Sequence, residues 1–403
     1  MSRRSSFGYS SYQHSYGSGG NHKRIGGGWI AAIIIIALAL IAGITAVVCF
    51  VASGDKGAQQ TPDETSAAST TESSPKPDKD ESKAQESDKK ESSAPESTVS
   101  PEAEGYYDGN VFVFDGRGYE MFYGTDDSAE SYAQAVSEVK KAVGKDVRVY
   151  NMVVPTRAPF GLSEKDLSSM NDEKKNIRKI YSSYSEDVIP VDVYKAEEDH
   201  KNEYTYFKTD HNWTALGAYY AYKEFCTAIK ATPVDIESLS KGSITDFRGS
   251  LFVATRTDEK PEGNKELADN PDTVVYYNMP GIESCILLEN GKSEEQEVPI
   301  IAYFAEGSNS YSAFIWGNNP YMKVKTTQKT GRKLCIIKDS YGCAFAPFTV
   351  SCFDEVFIVD PSYYEGNVAD YIKENGYTDV LVINSVIYAN TYFRVNDIMS
   401  IIK

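Results

Sequence analysis

The last 300 or so residues predict an α/β fold: a doubly wound parallel sheet with helices on both faces and a β-rich insertion. Three observations carry this. Segments 334–338, 355–360 and 379–384 are short and continuously apolar. Helical patterns separate them, one beginning near Ser340 and one over 367–375 that Gly376 stops. Strands apolar on both sides belong to parallel sheets covered on both faces. Between the two ends of the domain, 241–330 breaks the alternation with TVVYY, CILLE and VPIIAYF set in polar loops. That stretch reads as an inserted β-rich lobe, or as antiparallel strands added to the sheet edge. Periodicity does not choose between them.

The elements before the insertion follow the same logic. Residues 111–115 read as a short strand. Residues 128–143 form an amphipathic helix, with Tyr132, Val136, Val139 and Val143 on one face. A strand over 147–154 ends at Pro155. The helix over 173–184 aligns Ile177, Ile180, Tyr181 and Tyr184, and 188–193 is another strand. Thr214 is the N-cap of a helix over 214–230.

Three segments precede the folded part. Residues 29–52, WIAAIIIIALALIAGITAVVCFVA, are uncharged and long enough to cross a hydrocarbon core of roughly 30 Å. A cleaved signal peptide would have a shorter apolar region with its small-residue site close behind. The tail 1–28 carries Arg3, Arg4, Lys23 and Arg24 and no acid, so the positive-inside rule keeps it cytoplasmic and exports the rest. Residues 53–104 are Ser, Thr, Glu, Lys, Asp and Pro with few apolar residues. They cannot offset chain entropy by burial and read as a disordered linker of roughly 40 Å r.m.s. reach. The expected location is therefore a cell membrane, single-pass, with residues 105–403 outside.

Charge narrows the function. The chain is −17 overall, with four bases in the tail and 13 acids against 6 bases in the linker, leaving −14 for 105–403. Such a domain repels phosphates and is no nucleic-acid binder. The five cysteines outside the apolar run match neither a zinc pattern nor a disulfide framework and read as buried thiols. No metal or cofactor motif is present.

Histidine gives the sharpest inference. Only four occur, and His14 and His22 lie in the tail. Imidazole chemistry in the domain falls to His200 or His211. His200 sits in a charged stretch that reads as a solvated loop. His211 sits in YFKTDHNWTALGAYYAY, after Asp210 and ahead of the helix capped by Thr214. The second site is KLCIIKDSYGCAFAPF, where a strand runs into Asp339, Ser340 and Gly342 and then a helix. A nucleophile on such a turn is exposed at the C-terminal sheet edge, with helix N-terminal amides facing a developing oxyanion. Gly342 allows close backbone approach.

Together these motifs, with NMVVPTRAPF, DFRGSLF, YSAFIWGNN and IVDPSYY, resemble the DHHW family of exported bacterial proteins. They are also similar to alginate O-acetylation proteins with a circularly permuted SGNH domain. The resemblance runs from about Tyr106 to the C-terminus. It implies an SGNH-like, flavodoxin-like fold, Ser340 as nucleophile, Asp210 as triad acid, and Trp213 packed beneath the site. It implies an acyl ester of an envelope polysaccharide as substrate, and a membrane-embedded acyl-transfer protein as partner. In the acetylation proteins the base histidine stands two residues after the Asp, where this chain has Asn212. Asn cannot take up and return a proton at neutral pH. His211 then has to serve, or the triad is broken. Gly317 and Asn318 are the pair chosen to complete an oxyanion site, with Gly249 second. Two readings follow: a serine acyltransferase or esterase, or a catalytically silent carbohydrate-binding or scaffold module.

Overall fold

A computed structural model of the chain describes residues 104–403. The tail, the apolar run at 29–52 and all but the last residue of the linker lie outside the described residues. Among the described residues no helix is long and apolar enough to cross a membrane.

The core is an eight-stranded sheet. Its strands are β4 (Arg148–Val154), β5 (Val188–Pro190), β8 (Ile282–Leu288), β9 (Glu295–Glu297), β10 (Tyr321–Thr326), β11 (Lys333–Lys338), β12 (Glu355–Val359) and β13 (Asp379–Ser385). Their spatial order is β5-β4-β13-β11-β12-β10-β8-β9. The first five are mutually parallel, and β10, β8 and β9 join antiparallel. The sheet is thus mixed, and of the two readings of 241–330 it is the second, antiparallel strands added to the sheet edge, that describes β8, β9 and β10. Periodicity left both open because strand direction leaves no mark in a single strand's pattern. Both β8 and β10 come from the 241–330 stretch. It also supplies a separate antiparallel pair, β6 (Lys241–Phe247) with β7 (Asp272–Tyr277). A three-stranded antiparallel sheet, β1 (Tyr106–Asp108), β2 (Val111–Phe114) and β3 (Arg117–Tyr119), opens the domain.

Alternating side chains split the central strands between two cores. Leu334 and Ile336 of β11, Leu381 and Ile383 of β13, and Tyr150 and Met152 of β4 enter one core. Cys335 and Ile337, Val380 and Val382, and Val149 and Val153 enter the other. Both faces are sealed, as the unbroken apolar runs require.

Helices α1 (Asp126–Val143), α2 (Glu173–Ser182), α6 (Val368–Glu374) and α7 (Tyr392–Ser400) cover the second face. Helix α1 starts two residues before the pattern predicts. Thr125 caps it in a reciprocal capping box with Ser128. The first face is covered by α3 (Ala215–Ile229) and α5 (Tyr341–Thr349), while α4 (Ser250–Ala254), on the insertion, packs Leu251 and Phe252 in a separate small cluster with Val111 and Val113 of β2. Thr214 caps α3, its side chain accepting from Gly217 N–H. Helices α3 and α5 interlock through Phe225 against Phe345 at 5.8 Å and Tyr222 stacked on Phe348 at 5.6 Å. Truncating such a buried ring to Ala costs about 3–5 kcal/mol. Because α3 follows the His211 loop and α5 follows Ser340, this packing fixes the two motif-bearing segments relative to each other.

Glu173 at the start of α2 is buried and holds the turn leaving β4. Its carboxylate accepts from Thr156 N–H at 2.8 Å and Thr156 Oγ1 at 2.6 Å. Burial pushes its carboxyl from 4.5 up to about 7. Between those values the folded chain holds a proton that the unfolded chain has released, so this group's stability contribution falls as pH rises through that window. Glu173→Gln has no such proton. Its melting temperature relative to wild type is expected to improve from pH 4.5 to just above 7 and then level off. A parallel trend in both proteins across thermal melts would contradict this.

Candidate active site

Strands β4, β13 and β11 run parallel in adjacent positions, so their C-terminal ends form one edge. Ser340 stands just past that edge as the residue before α5, half-buried. Asp339 fastens the turn: it accepts from Tyr341 N–H at 3.0 Å and from Ser385 N–H, at the end of β13, at 2.8 Å. Burial pushes the Asp339 carboxyl up to about 6. Gly342 permits the tight crossing of α5 over β11, since a Cβ there would lie 2.5 Å from Lys338 Cβ. Its N–H is already given to Asp339 O at 3.1 Å.

The His211 loop closes on itself and is then pinned from three sides. Thr214 N–H donates to Thr205 O at 2.8 Å and Phe207 N–H to Asn212 O at 3.3 Å. Asp272, the first residue of β7, accepts from Lys208 N–H, Thr209 N–H and Thr209 Oγ1 at 2.6–2.9 Å. Tyr341 Oη donates to His211 O at 2.5 Å. Trp213 is fully buried and donates from Nε1 to Tyr341 O at 2.8 Å, one residue past Ser340.

Asp210 is the junction. One carboxylate oxygen accepts from Asn212 N–H at 2.9 Å and Asn212 Nδ2 at 2.7 Å. The other accepts from Ser250 N–H at 2.8 Å. The approach needs Gly249, because a Cβ at that position would meet Asp210 Cβ at 2.3 Å. The Gly249 N–H donates to Thr209 Oγ1 at 3.0 Å and is not offered to a ligand.

Two lines then converge on the serine. In the first, Ser340 Oγ donates to Asn212 Oδ1 at 2.8 Å, and Asn212 passes on to Asp210. This reproduces the connectivity of an acid, base and serine relay, with an amide where a base would stand. It orients the hydroxyl and cannot carry its proton. In the second, His211 Nε2 stands 3.3 Å from Ser340 Oγ, within reach for proton transfer. His211 Nδ1 faces Ser250 Oγ at 2.5 Å, while Asp210 Oδ1 is 4.0 Å away. Ser250, held by Asp210, orients the imidazole in place of the carboxylate itself. His200 lies apart, paired with Glu203 and stacked on Tyr220.

Burial disfavours the imidazolium of His211, but the carboxylates of Asp210, Glu120 and Asp339 outweigh it. The net effect raises its pKa above the usual histidine value. Glu120, just past β3, is itself raised by burial, with His211 opposing that rise. Gly317 and Asn318 lie beside the Ser340 turn. Gly317 O and Asn318 Oδ1 are 3.5 and 3.4 Å from Cys343 Sγ, one turn along α5. Burial pushes the Cys343 thiol up to about 11, so it stays protonated. Among the described residues no cluster of three or more His, Cys, Asp or Glu could hold a metal ion.

The family profile described as DHHW protein matches residues 84–359. The chain belongs to the DHHW family. The crystal structure of a DHHW family protein from Eubacterium siraeum is 32% identical, covering 74% of this chain and 98% of that one, with a TM-score of 0.66. Bacillus cereus PatB1, solved with a sulfonyl adduct, is 16% identical over 72% of this chain and 96% of its own, with a TM-score of 0.58. The O-acetyltransferase domain of Pseudomonas putida AlgJ covers the same shares at 12% identity and a TM-score of 0.41. No curated protein matches the chain by sequence. The mixed α/β fold of this DHHW protein is thus similar to that of PatB1.

In this DHHW protein the structure brings Ser340, His211, Asn212, Asp210 and Trp213 together, with Gly342 beneath them. Sequence reasoning missed Ser250, although it lies inside the DFRGSLF motif, and missed Glu120, Asp272 and Tyr341. Tyr341, next to Ser340, and Ser250, next to Gly249, stood beside residues already singled out. The electrostatics give a test. NMR titration of His211 is expected to show a midpoint above 6.5, and Glu120→Gln is expected to lower it by removing an anion that favours the charged ring. An unmoved or raised midpoint in Glu120→Gln would show that Glu120 does not act on His211.

Proposed function

We propose that this DHHW protein is a membrane-anchored serine acyltransferase or esterase that moves acetyl groups on or off a cell-envelope polysaccharide. The single observation carrying the reading is the 3.3 Å approach of His211 Nε2 to Ser340 Oγ at a strand-to-helix turn. A hydroxyl is a weak nucleophile without a base in reach. Ser340 Oγ attacks the ester carbonyl carbon while its proton passes to His211 Nε2. The tetrahedral oxyanion forms beside the Ser340 N–H and the Asn318 amide. Its collapse expels the donor alkoxide, which takes the proton back from His211. An acceptor hydroxyl or water, deprotonated by His211, then releases the acyl group from Ser340 and restores the hydroxyl.

Supporting the choice of substrate are the family resemblance and the acidic domain, which suits a neutral ester better than a phosphate. The name of the AlgJ domain points the same way without adding weight. Residues 29–52 would hold the domain beside a membrane-embedded partner that supplies acyl groups.

A second reading, a silent binding module, is favoured by one observation: Asn212 occupies the direct line from Asp210 to Ser340. Turnover of a small aryl acetate by the purified full-length chain separates the two. Loss of a general base costs about 10²–10⁴-fold. Ser340→Ala and His211→Ala are expected to lose comparable activity, because such groups fail as a unit. Asn212→Ala is expected to lose far less. Activity that survives His211→Ala but not Ser340→Ala would remove His211 as base. No turnover in wild type, gained on Asn212→His, would establish the silent module.

The topology has its own test. Protease added to intact cells is expected to release a soluble domain by cutting within 53–104. Release only after lysis would reverse the orientation.

A further inference from the structure

The site contains a fully buried cation that the mechanism above does not use. Lys338 ends β11, two residues before Ser340, and its residue is 1% exposed. Burying an ammonium is costly unless it is paired and hydrogen-bonded. Lys338 Nζ has two such partners: Asp360 Oδ2 at 3.1 Å, just past β12, and Asn318 Oδ1 at 2.8 Å. Burial opposes its charge, but the carboxylate of Asp360 outweighs that, and its pKa is raised.

We propose that Lys338 is a positioning residue, whose ammonium fixes the Asn318 side chain so that its Nδ2 donors face the oxyanion formed at Ser340. This deepens the acyl-transfer reading and rests on it. The argument is one of donors and acceptors. An ammonium has three donors and no acceptor, so the amide must turn its oxygen toward Lys338. Nδ2 is thereby forced to the opposite side. There it meets no acceptor among the described residues and is not sealed from solvent. A buried cation on the carbonyl oxygen also polarises the amide and strengthens its N–H donors.

The backbone leading to Asn318 is costly to maintain. Ile315, Trp316 and Gly317 have φ of 47°, 64° and 81°. Non-glycine residues held in the left-handed region are strained, and such strain gathers at functional sites. The turn is secured by Ile315 N–H to Ile300 O at 3.0 Å, Trp316 Nε1 to Pro299 O at 2.8 Å, and Asn319 Nδ2 to Trp316 O at 2.9 Å. Its position beside the nucleophile is set by Tyr311, whose Oη donates to Ser340 O at 2.9 Å from the same segment. A purely structural salt bridge between β11 and β12 would not need the amide of Asn318.

The test is aryl acetate turnover by the full-length chain and four variants: Asn318→Ala, Asn318→Asp, Lys338→Met/Asp360→Asn, and that pair combined with Asn318→Ala. Neutralising both members avoids leaving a buried carboxylate alone. Loss of one oxyanion donor costs about 10²–10³ in kcat. Asn318→Ala and Lys338→Met/Asp360→Asn are each expected to lower kcat by about that factor with little change in KM. The triple variant is expected to be no slower than Asn318→Ala, because Lys338 acts through that amide. Multiplied losses in the triple variant, or an unchanged kcat in Lys338→Met/Asp360→Asn, would overturn the proposal. Asn318→Asp decides the matter if the pair variant does not fold. It keeps the contact with Lys338 and removes the N–H donors, so it is expected to melt no lower than wild type and to lose kcat as Asn318→Ala does. Retained kcat there would also overturn the proposal. Wild-type chain without turnover would instead remove the acyl-transfer reading and this role with it, whereas turnover with multiplied losses removes this role alone.

Discussion

The carboxylate of Asp210 is the interaction on which the site depends. It accepts three hydrogen bonds, two from Asn212 and one from Ser250 N–H. Both routes to Ser340 start from those donors. Without Asp210, the Asn212 amide would have no fixed face to turn toward the serine, and Ser250 would lose the anchor that holds it against His211. The steric condition is as strict as the electrostatic one, since Gly249 must lack a side chain for the carboxylate to fit. Losing a partner at a buried polar group costs about 1–3 kcal/mol, and more for a charged one. Disruption at Asp210 therefore reaches both Asn212 and, through Ser250, His211.

The insertion takes a larger part in this than its place in the sequence suggests. Ser250, Asp272 and Asn318 all come from 241–330, and each holds or faces a residue of the α/β core. The antiparallel strands β8 and β10 fuse that stretch to the main sheet, so its loops inherit the rigidity of the core. Ser340 stands on a segment leaving the sheet edge, and His211 on the loop before α3. The groups that orient them arrive from the added strands.

Much of the fold was legible where burial dictates composition. Segments such as Leu334 to Ile337 and Val380 to Ile383 are apolar on both faces because two separate cores receive them, and that leaves a signature in one sequence. The added strands were ambiguous because β8 and β10 are less uniformly buried and strand direction is set by connections that pattern does not record. The C-terminal helix went unseen, since only Val395 and Ile398 of its nine residues are buried. At the site, Ser340 and His211 could be found because few residues of the right chemistry existed. Ser250 lay in a quoted motif beside Gly249 but, like Glu120, acquires its meaning only through folding, since each is far in sequence from His211. The departure at Asn212 was visible as a missing base. That the amide keeps the connectivity of the relay was not, because it depends on the rotamer of one side chain.

That amide has a kinetic meaning. Ser340 has one hydroxyl proton and two acceptors, Asn212 Oδ1 at 2.8 Å and His211 Nε2 at 3.3 Å. While the proton points to Asn212, the imidazole faces a lone pair and has nothing to remove. Only rotation about the Cβ–Oγ bond offers the proton to His211, so the proposed base-assisted attack would proceed at its intrinsic rate multiplied by the fraction of time spent in that rotamer. Each 1.4 kcal/mol or so by which Asn212 wins the competition slows the reaction about tenfold. In the proposed reaction residue 212 would act as a rheostat on Ser340, setting throughput by partition of a hydrogen between two neighbours while the barrier to bond formation stays the same.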